Sequence, residues 1–172
     1  MSVTTVRAFA FRRGTTQLQP PVRQALLLVL VAVDAALHRG ADNAFSTWYV
    51  GGLVLLLGTS VWTLLSPAPA RSLTAGAVVM VLDLGAVGLM RMVPDGNGVG
   101  FLAVLVALWL GIDLRGRGVL VALLGTVCLV AAPSLLYYGV QDAWLSRALI
   151  LSTTATVCAI TTASAARAWA DQ

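Results

Sequence analysis

Six long apolar stretches divide this chain, and nearly every charge falls between them. They cover roughly residues 24–38, 45–66, 73–92, 99–112, 118–138 and 144–167. A helix needs ~20 apolar residues to cross a hydrocarbon core of about 30 Å. Crossings of that kind consume almost the whole chain, so no length remains for a water-soluble catalytic domain. Only 10% of the 172 residues are charged, against about 25% in a typical soluble domain. The expected fold is therefore an all-α integral membrane bundle of about six transmembrane helices. Residues 1–23 form a basic arm, 24–167 the membrane domain and 168–172 the start of a cytoplasmic continuation.

The links between stretches are short and rich in turn formers. They include Ser66-Pro67-Ala68-Pro69, Pro94-Asp95-Gly96-Asn97-Gly98, Gly116-Arg117-Gly118 and Gly139-Val140-Gln141-Asp142. Short links join antiparallel neighbours, which predicts up-down topology. Arginine placement sets the orientation. One side collects Arg7, Arg12, Arg13, Arg23, Arg71, Arg115, Arg117 and Arg167, the other Arg39, Arg91 and Arg147. Positive charge accumulates on the cytoplasmic side, so both termini are expected in the cytoplasm of a multi-pass protein of the cell (inner or plasma) membrane. Trp48, Tyr49, Tyr137, Tyr138 and Trp144 would form an outer aromatic belt, and Trp62, Trp109 and Trp169 an inner one.

Composition excludes several chemistries. Every cation is Arg and every anion Asp, with no Lys and no Glu. Schiff-base chemistry needs a lysine amine, so a retinal protein is excluded. The arginines flank apolar spans, which makes them topology signals and contacts to anionic lipid rather than to nucleic acid. Cys128 and Cys158 lie inside spans as small packing residues. There is no nucleotide loop, HExxH or nucleophile elbow. No catalytic residue, metal site or cofactor is expected.

Ionisable residues at membrane depth are costly and tend to mark function or helix pairing. Asp34 and His38 share a helix face at the outer end of the first span. Asp83 sits near the middle of the third, with Arg91 two turns further out. Arg147 lies one turn inside the sixth. These five residues are the candidates for ligand or proton sensing at the outer side. The alternative is purely structural: Asp34–Arg147 and Asp83–Arg91 pairs that fix helix order. The sixth span interleaves alanines with hydroxyls, a composition that permits close helix approach. Thr153, Thr156, Thr161 and Ser164 are the candidates for a helix interface or relay, including a homodimer face.

One resemblance rests on Gly98 to Gly111, ending Leu108-Trp109-Leu110-Gly111, and on the basic turn Arg115-Gly116-Arg117-Gly118. Ala131-Ala132-Pro133 and Trp144-Leu145-Ser146-Arg147-Ala148-Leu149 complete it. Over residues 24–167 the chain resembles the N-terminal multi-span sensor modules of bacterial histidine kinases and diguanylate cyclases. The resemblance implies signal transduction, as in two-component systems, with the last membrane helix leading into a cytoplasmic output. The sequence stops where that continuation would begin, so the expectation is either the membrane domain of a longer protein or a small membrane protein of similar build. A small stand-alone transporter or channel subunit is the competing expectation.

Overall fold

A computed structural model describes residues 19–37, 46–66, 68–92, 98–139 and 142–170. These residues form an all-α bundle of six helices, with no strand among them: α1 (Pro20–Leu37), α2 (Thr47–Leu65), α3 (Leu73–Met90), α4 (Gly100–Leu114), α5 (Gly116–Tyr138) and α6 (Asp142–Ala170). A single helical turn, Ala68–Arg71, precedes α3. Five of the six have the length and apolarity to cross a membrane. The exception is α4, whose 15 residues span about 22 Å at 1.5 Å per residue. It is instead the most enclosed helix, packing on α3, α5 and α6 with Leu102, Ala103, Val106, Ala107 and Leu110 buried.

Local chemistry explains the helix ends. Pro20 and Pro21 do not precede α1 but open it, in the first turn, where a missing N–H costs no helical hydrogen bond. This start brings Arg23 and Gln24 inside the helix. Ser46 and Ser72 cap α2 and α3, their hydroxyls accepting from the amides of Tyr49 and Ala75, as a hydroxyl does for an orphan first-turn donor. Arg115 joins α4 to α5 at φ 52° and ψ −127°, a region suited to glycine.

α5 is not a regular helix. Residues Thr126–Ala131 form a π turn, with Pro133 just beyond. Proline lacks an N–H and its ring crowds the carbonyl four residues back, here Leu129. The ladder adapts by widening, and the amide of Ala132 donates to the Val127 carbonyl. Such bulges are a recognised source of bends. The Leu129 carbonyl turns toward α3, where Gly88 leaves it room; a Cβ at Gly88 would collide with this oxygen.

α4 and α6 run parallel. Gly100 lies by Leu151, Gly111 against Ala159, and Gly116 by Arg167. The contact face of α6 is the small-residue stripe Ala148, Ser152, Ala155, Ala159 and Ala163, all buried. Close approach of this kind is how membrane helices gain packing without hydrophobic drive. The outer surface is inverted relative to a water-soluble protein. Val29, Val54, Leu64, Phe101, Leu120, Leu136, Ile150 and Val157 are exposed, while Gln24, Thr59, Ser60, Asp83 and Thr126 are buried. Apolar surface on that scale is untenable in water and at home in lipid.

Candidate functional site

Polar side chains gather in two places along the bundle. The first runs from the α1 start, here termed the Arg23 end, to mid-depth. Arg23 Nη1 donates to Asp113 Oδ2 at 2.5 Å and Nη2 to Oδ1 at 2.9 Å, a two-pronged pair across α1 and α4. The guanidinium also lies 5.6 Å from the centre of the Trp109 ring, within cation–π range, and 3.8 Å from Met80 Sδ. One helical position on, Gln24 Nε2 donates to Asp83 Oδ2 at 2.6 Å. Thr59 Oγ1 donates to Asp83 Oδ1 at 2.8 Å, and Ser60 Oγ to Gln24 Oε1 at 3.0 Å.

This network ties α1, α2, α3 and α4 together with few loose ends. Asp83 is 1% exposed and accepts from two neutral donors, as a buried carboxylate requires. Thr59 and Ser60 each carry one hydroxyl proton and also lie within hydrogen-bond distance of the Leu56 carbonyl, at 2.9 and 2.7 Å. Each hydroxyl therefore has two acceptors in reach. It can leave the network for its own backbone without becoming unsatisfied.

The expected Asp83–Arg91 pair is not formed. The Asp83 carboxylate faces α1 and α2, because Gln24 and Thr59 reach it from the Arg23 side. This network lies toward the Arg23 end, away from Arg91. Its members Arg23, Gln24, Thr59, Ser60, Trp109 and Asp113 were not among the candidates.

The second gathering lies at the opposite, Arg91 end. Arg91 follows α3 directly and is 7% exposed, and its Nη1 has no hydrogen-bond partner. Burial, and then the nearby charge of Arg147, lower its pKa from the usual value. Arg147 is exposed on α6, Asp34 is half-buried on α1, and the Asp34 charge acts on the Tyr49 hydroxyl. His38 falls outside the described residues. The structure thus places Asp34, Arg91 and Arg147 at one end of the bundle and separates Asp83 from them. An aromatic collar marks this end. Trp48 meets Tyr137 edge-on at 6.0 Å, Tyr137 meets Tyr138 at 5.0 Å, and the Tyr138 hydroxyl donates to the Met92 carbonyl.

Three of the four relay candidates share one arrangement. Thr156, Thr161 and Ser164 donate to carbonyls of their own helix, those of Ser152, Cys158 and Ile160. Thr153, Thr161 and Ser164 are exposed and Thr156 half-buried. The hydroxyl that does cross between helices is Thr162, which reaches the Leu108 carbonyl of α4 at 3.3 Å. No group of three potential metal-ligating side chains occurs among the described residues. Comparison with protein-family models, characterised proteins and solved structures finds no match to this chain.

Proposed function

We propose that this chain is the membrane-embedded input or anchoring module of a bacterial signal-transduction protein, of the histidine kinase or diguanylate cyclase type, with α6 as the output helix. The observation that carries this reading is the form of α6. It is one unbroken helix of 29 residues, about 43 Å long at 1.5 Å per residue, well beyond a hydrocarbon core of about 30 Å. It packs in parallel on α4 through small side chains, and the hydroxyls of Thr156, Thr161 and Ser164 are satisfied by their own backbone. Such a helix can shift along its neighbour without stranding a polar group. A signal also needs two states that a stimulus distinguishes. In this proposal the stimulus acts at the Arg91 end, and α6 shifts along α4, which the network at the Arg23 end holds in place. The outward strip Thr153, Val157, Ile160, Thr161 and Ser164 serves as a homodimer face. Both termini lie in the cytoplasm of the inner membrane.

Cysteines placed singly along α6, in a background lacking Cys128 and Cys158, test this. Crosslinking should peak on the strip Thr153, Val157, Thr161 and Ser164 and shift when the bilayer's anionic lipid content changes. A flat profile, unaltered by lipid, overturns the relay. Reporter fusions that placed Met1 and Gln172 on opposite sides would overturn the topology.

A second reading, a small transporter or channel subunit, draws on one feature: a buried carboxylate at mid-depth is a frequent mark of an ion pathway. It predicts ion or solute flux in liposomes that Asp83→Asn abolishes, an effect the relay does not predict.

A further inference from the structure

Arg91 is a buried cation with no hydrogen-bonded or ion-paired anion among the described residues. Its side chain lies over the first residue of α4, with Cδ and Nε 3.9 Å from where a Cβ at Gly100 would sit. A helix start carries about half a positive charge, so a guanidinium there is electrostatically misplaced, although the Phe101 and Leu102 amides donate to the Gly98 and Val99 carbonyls. Val99 gives α4 no side-chain cap. The neighbouring charge acting on Arg91 is another cation, Arg147, whereas the Asp34 charge acts on Tyr49. Arg91 therefore meets a second cation, Arg147, close to the start of α4, which has no side-chain cap. Arg91 Nη1 and the Tyr49 hydroxyl are the two buried side-chain polar atoms without a hydrogen-bond partner among the described residues, and both belong to this end. A buried donor left unmade costs about 1–3 kcal/mol, more when charged, so a bound acceptor here is strongly favoured.

We infer that the Arg91 end is a binding site for a phosphate-bearing anion, held by Arg91 Nη1 beside the start of α4, with the Arg147 charge near it. A guanidinium is suited to phosphate oxygens, and the positive end of a helix favours an anion beside it. The depth fits a headgroup. Tyr138 donates to the carbonyl of Met92, next to Arg91, and Trp48, Tyr137 and Tyr138 form the kind of aromatic collar that sits at the lipid–water interface. The same chemistry would hold a soluble phosphate arriving from outside. The site stands apart from the relay proposal, since binding without any movement of α6 would leave the site and remove the relay.

The test uses the full chain, purified in an uncharged detergent. One arm follows thermal unfolding while inorganic phosphate is titrated. The other reconstitutes the protein in nanodiscs of mixed phosphatidylcholine and phosphatidylglycerol and counts retained lipids by native mass spectrometry. Binding in the first arm identifies a soluble anion, and phosphatidylglycerol enrichment in the second alone identifies a lipid headgroup. Arg91→Met and Arg91→Gln should each weaken binding about tenfold or more. Arg117→Gln, exposed at the opposite end, should leave it unchanged. Without ligand, Arg91→Met should be at least as stable as the parent, because it removes a buried unpartnered charge. Three results overturn the inference: no binding in either arm, binding that survives both Arg91 substitutions, or destabilisation by both in the absence of ligand.

Discussion

Asp113→Ala is the most informative single perturbation of this bundle. It leaves the Arg23 guanidinium, 8% exposed against 18% for Asp113, without its counter-charge. Removing one member of a buried pair costs about 3–5 kcal/mol, because the survivor stays buried and uncompensated. Two terms reduce that figure here. The Trp109 ring retains a cation–π contact worth about 0.5–2 kcal/mol, and Arg23, near a helix start, can straighten toward the headgroups. A net loss of about 2–3 kcal/mol follows. The double variant Arg23→Met, Asp113→Leu removes both charges and replaces them with apolar groups of similar bulk. It should lie within about 1 kcal/mol of the parent, since a buried pair is often no better than a packed apolar substitute. Unfolding in mixed micelles of increasing SDS content, read by tryptophan fluorescence, measures all three proteins, and Trp109 is a reporter inside the contact itself. If the double variant is destabilised by the sum of the single changes, the pair stabilises through something other than mutual compensation and the reasoning fails. An Asp113→Ala cost below about 1 kcal/mol would show that Arg23 escapes to water.

Three further outcomes follow from the geometry. Thr59→Val removes one of the two donors to Asp83 and should cost about 1–2 kcal/mol in the same assay, while Thr153→Val, a change on the exposed side of α6, should stay within about 0.5 kcal/mol. Gly88→Ala drives a methyl group into the Leu129 carbonyl and should cost about 1–3 kcal/mol; adding Pro133→Ala, which lets the helix ladder close and withdraws that carbonyl, should recover part of the loss, and no recovery would refute the link between proline and bulge. Arg115→Gly relieves a side chain held at positive φ and should stabilise by about 1 kcal/mol, seen as a higher SDS midpoint.

The sequence made depth legible but not rotation. Stretch length and turn chemistry locate α2, α3 and α6 to within a few residues, and the alanines of α6 mark a face for close packing. Which way each helix turns is another matter. An apolar helix in lipid carries little amphipathic signal, since its lipid side and its core side are equally greasy. Asp83 was visible as a costly residue, yet its partners Gln24 and Thr59 sit 59 and 24 positions away. Arg23 and Asp113 stood at the edges of apolar runs, where a charge reads as a topology signal. Their pairing across 90 residues appears only once α1 and α4 are side by side. One clue was available: Thr59, Ser60 and Thr63 repeat at one and four residues in an otherwise apolar helix, the spacing of a single polar face.

The two polar gatherings differ in a way that bears on function. At the Arg23 end, donors and acceptors close on one another: Arg23 on Asp113, Gln24 and Thr59 on Asp83, Ser60 on Gln24. A satisfied network of this kind fixes helix order and leaves no binding energy for a ligand. At the Arg91 end the balance is reversed, because two cations and a helix start face each other while a buried guanidinium donor stays open. Residues that stay polar and unsatisfied in a low-dielectric setting destabilise the fold, and sites that break the rules of satisfaction tend to be functional. On the inferred anion site, the free energy forgone at that end is recovered when an anion binds, and under the proposed relay this is the end where a ligand changes the balance between states. α4 touches both regions, through Asp113 at one end and Gly100 at the other, and it carries α6 along its side. In the proposed relay, a stimulus bound at Arg91 acts on the one helix that is both anchored to the closed network and packed along α6.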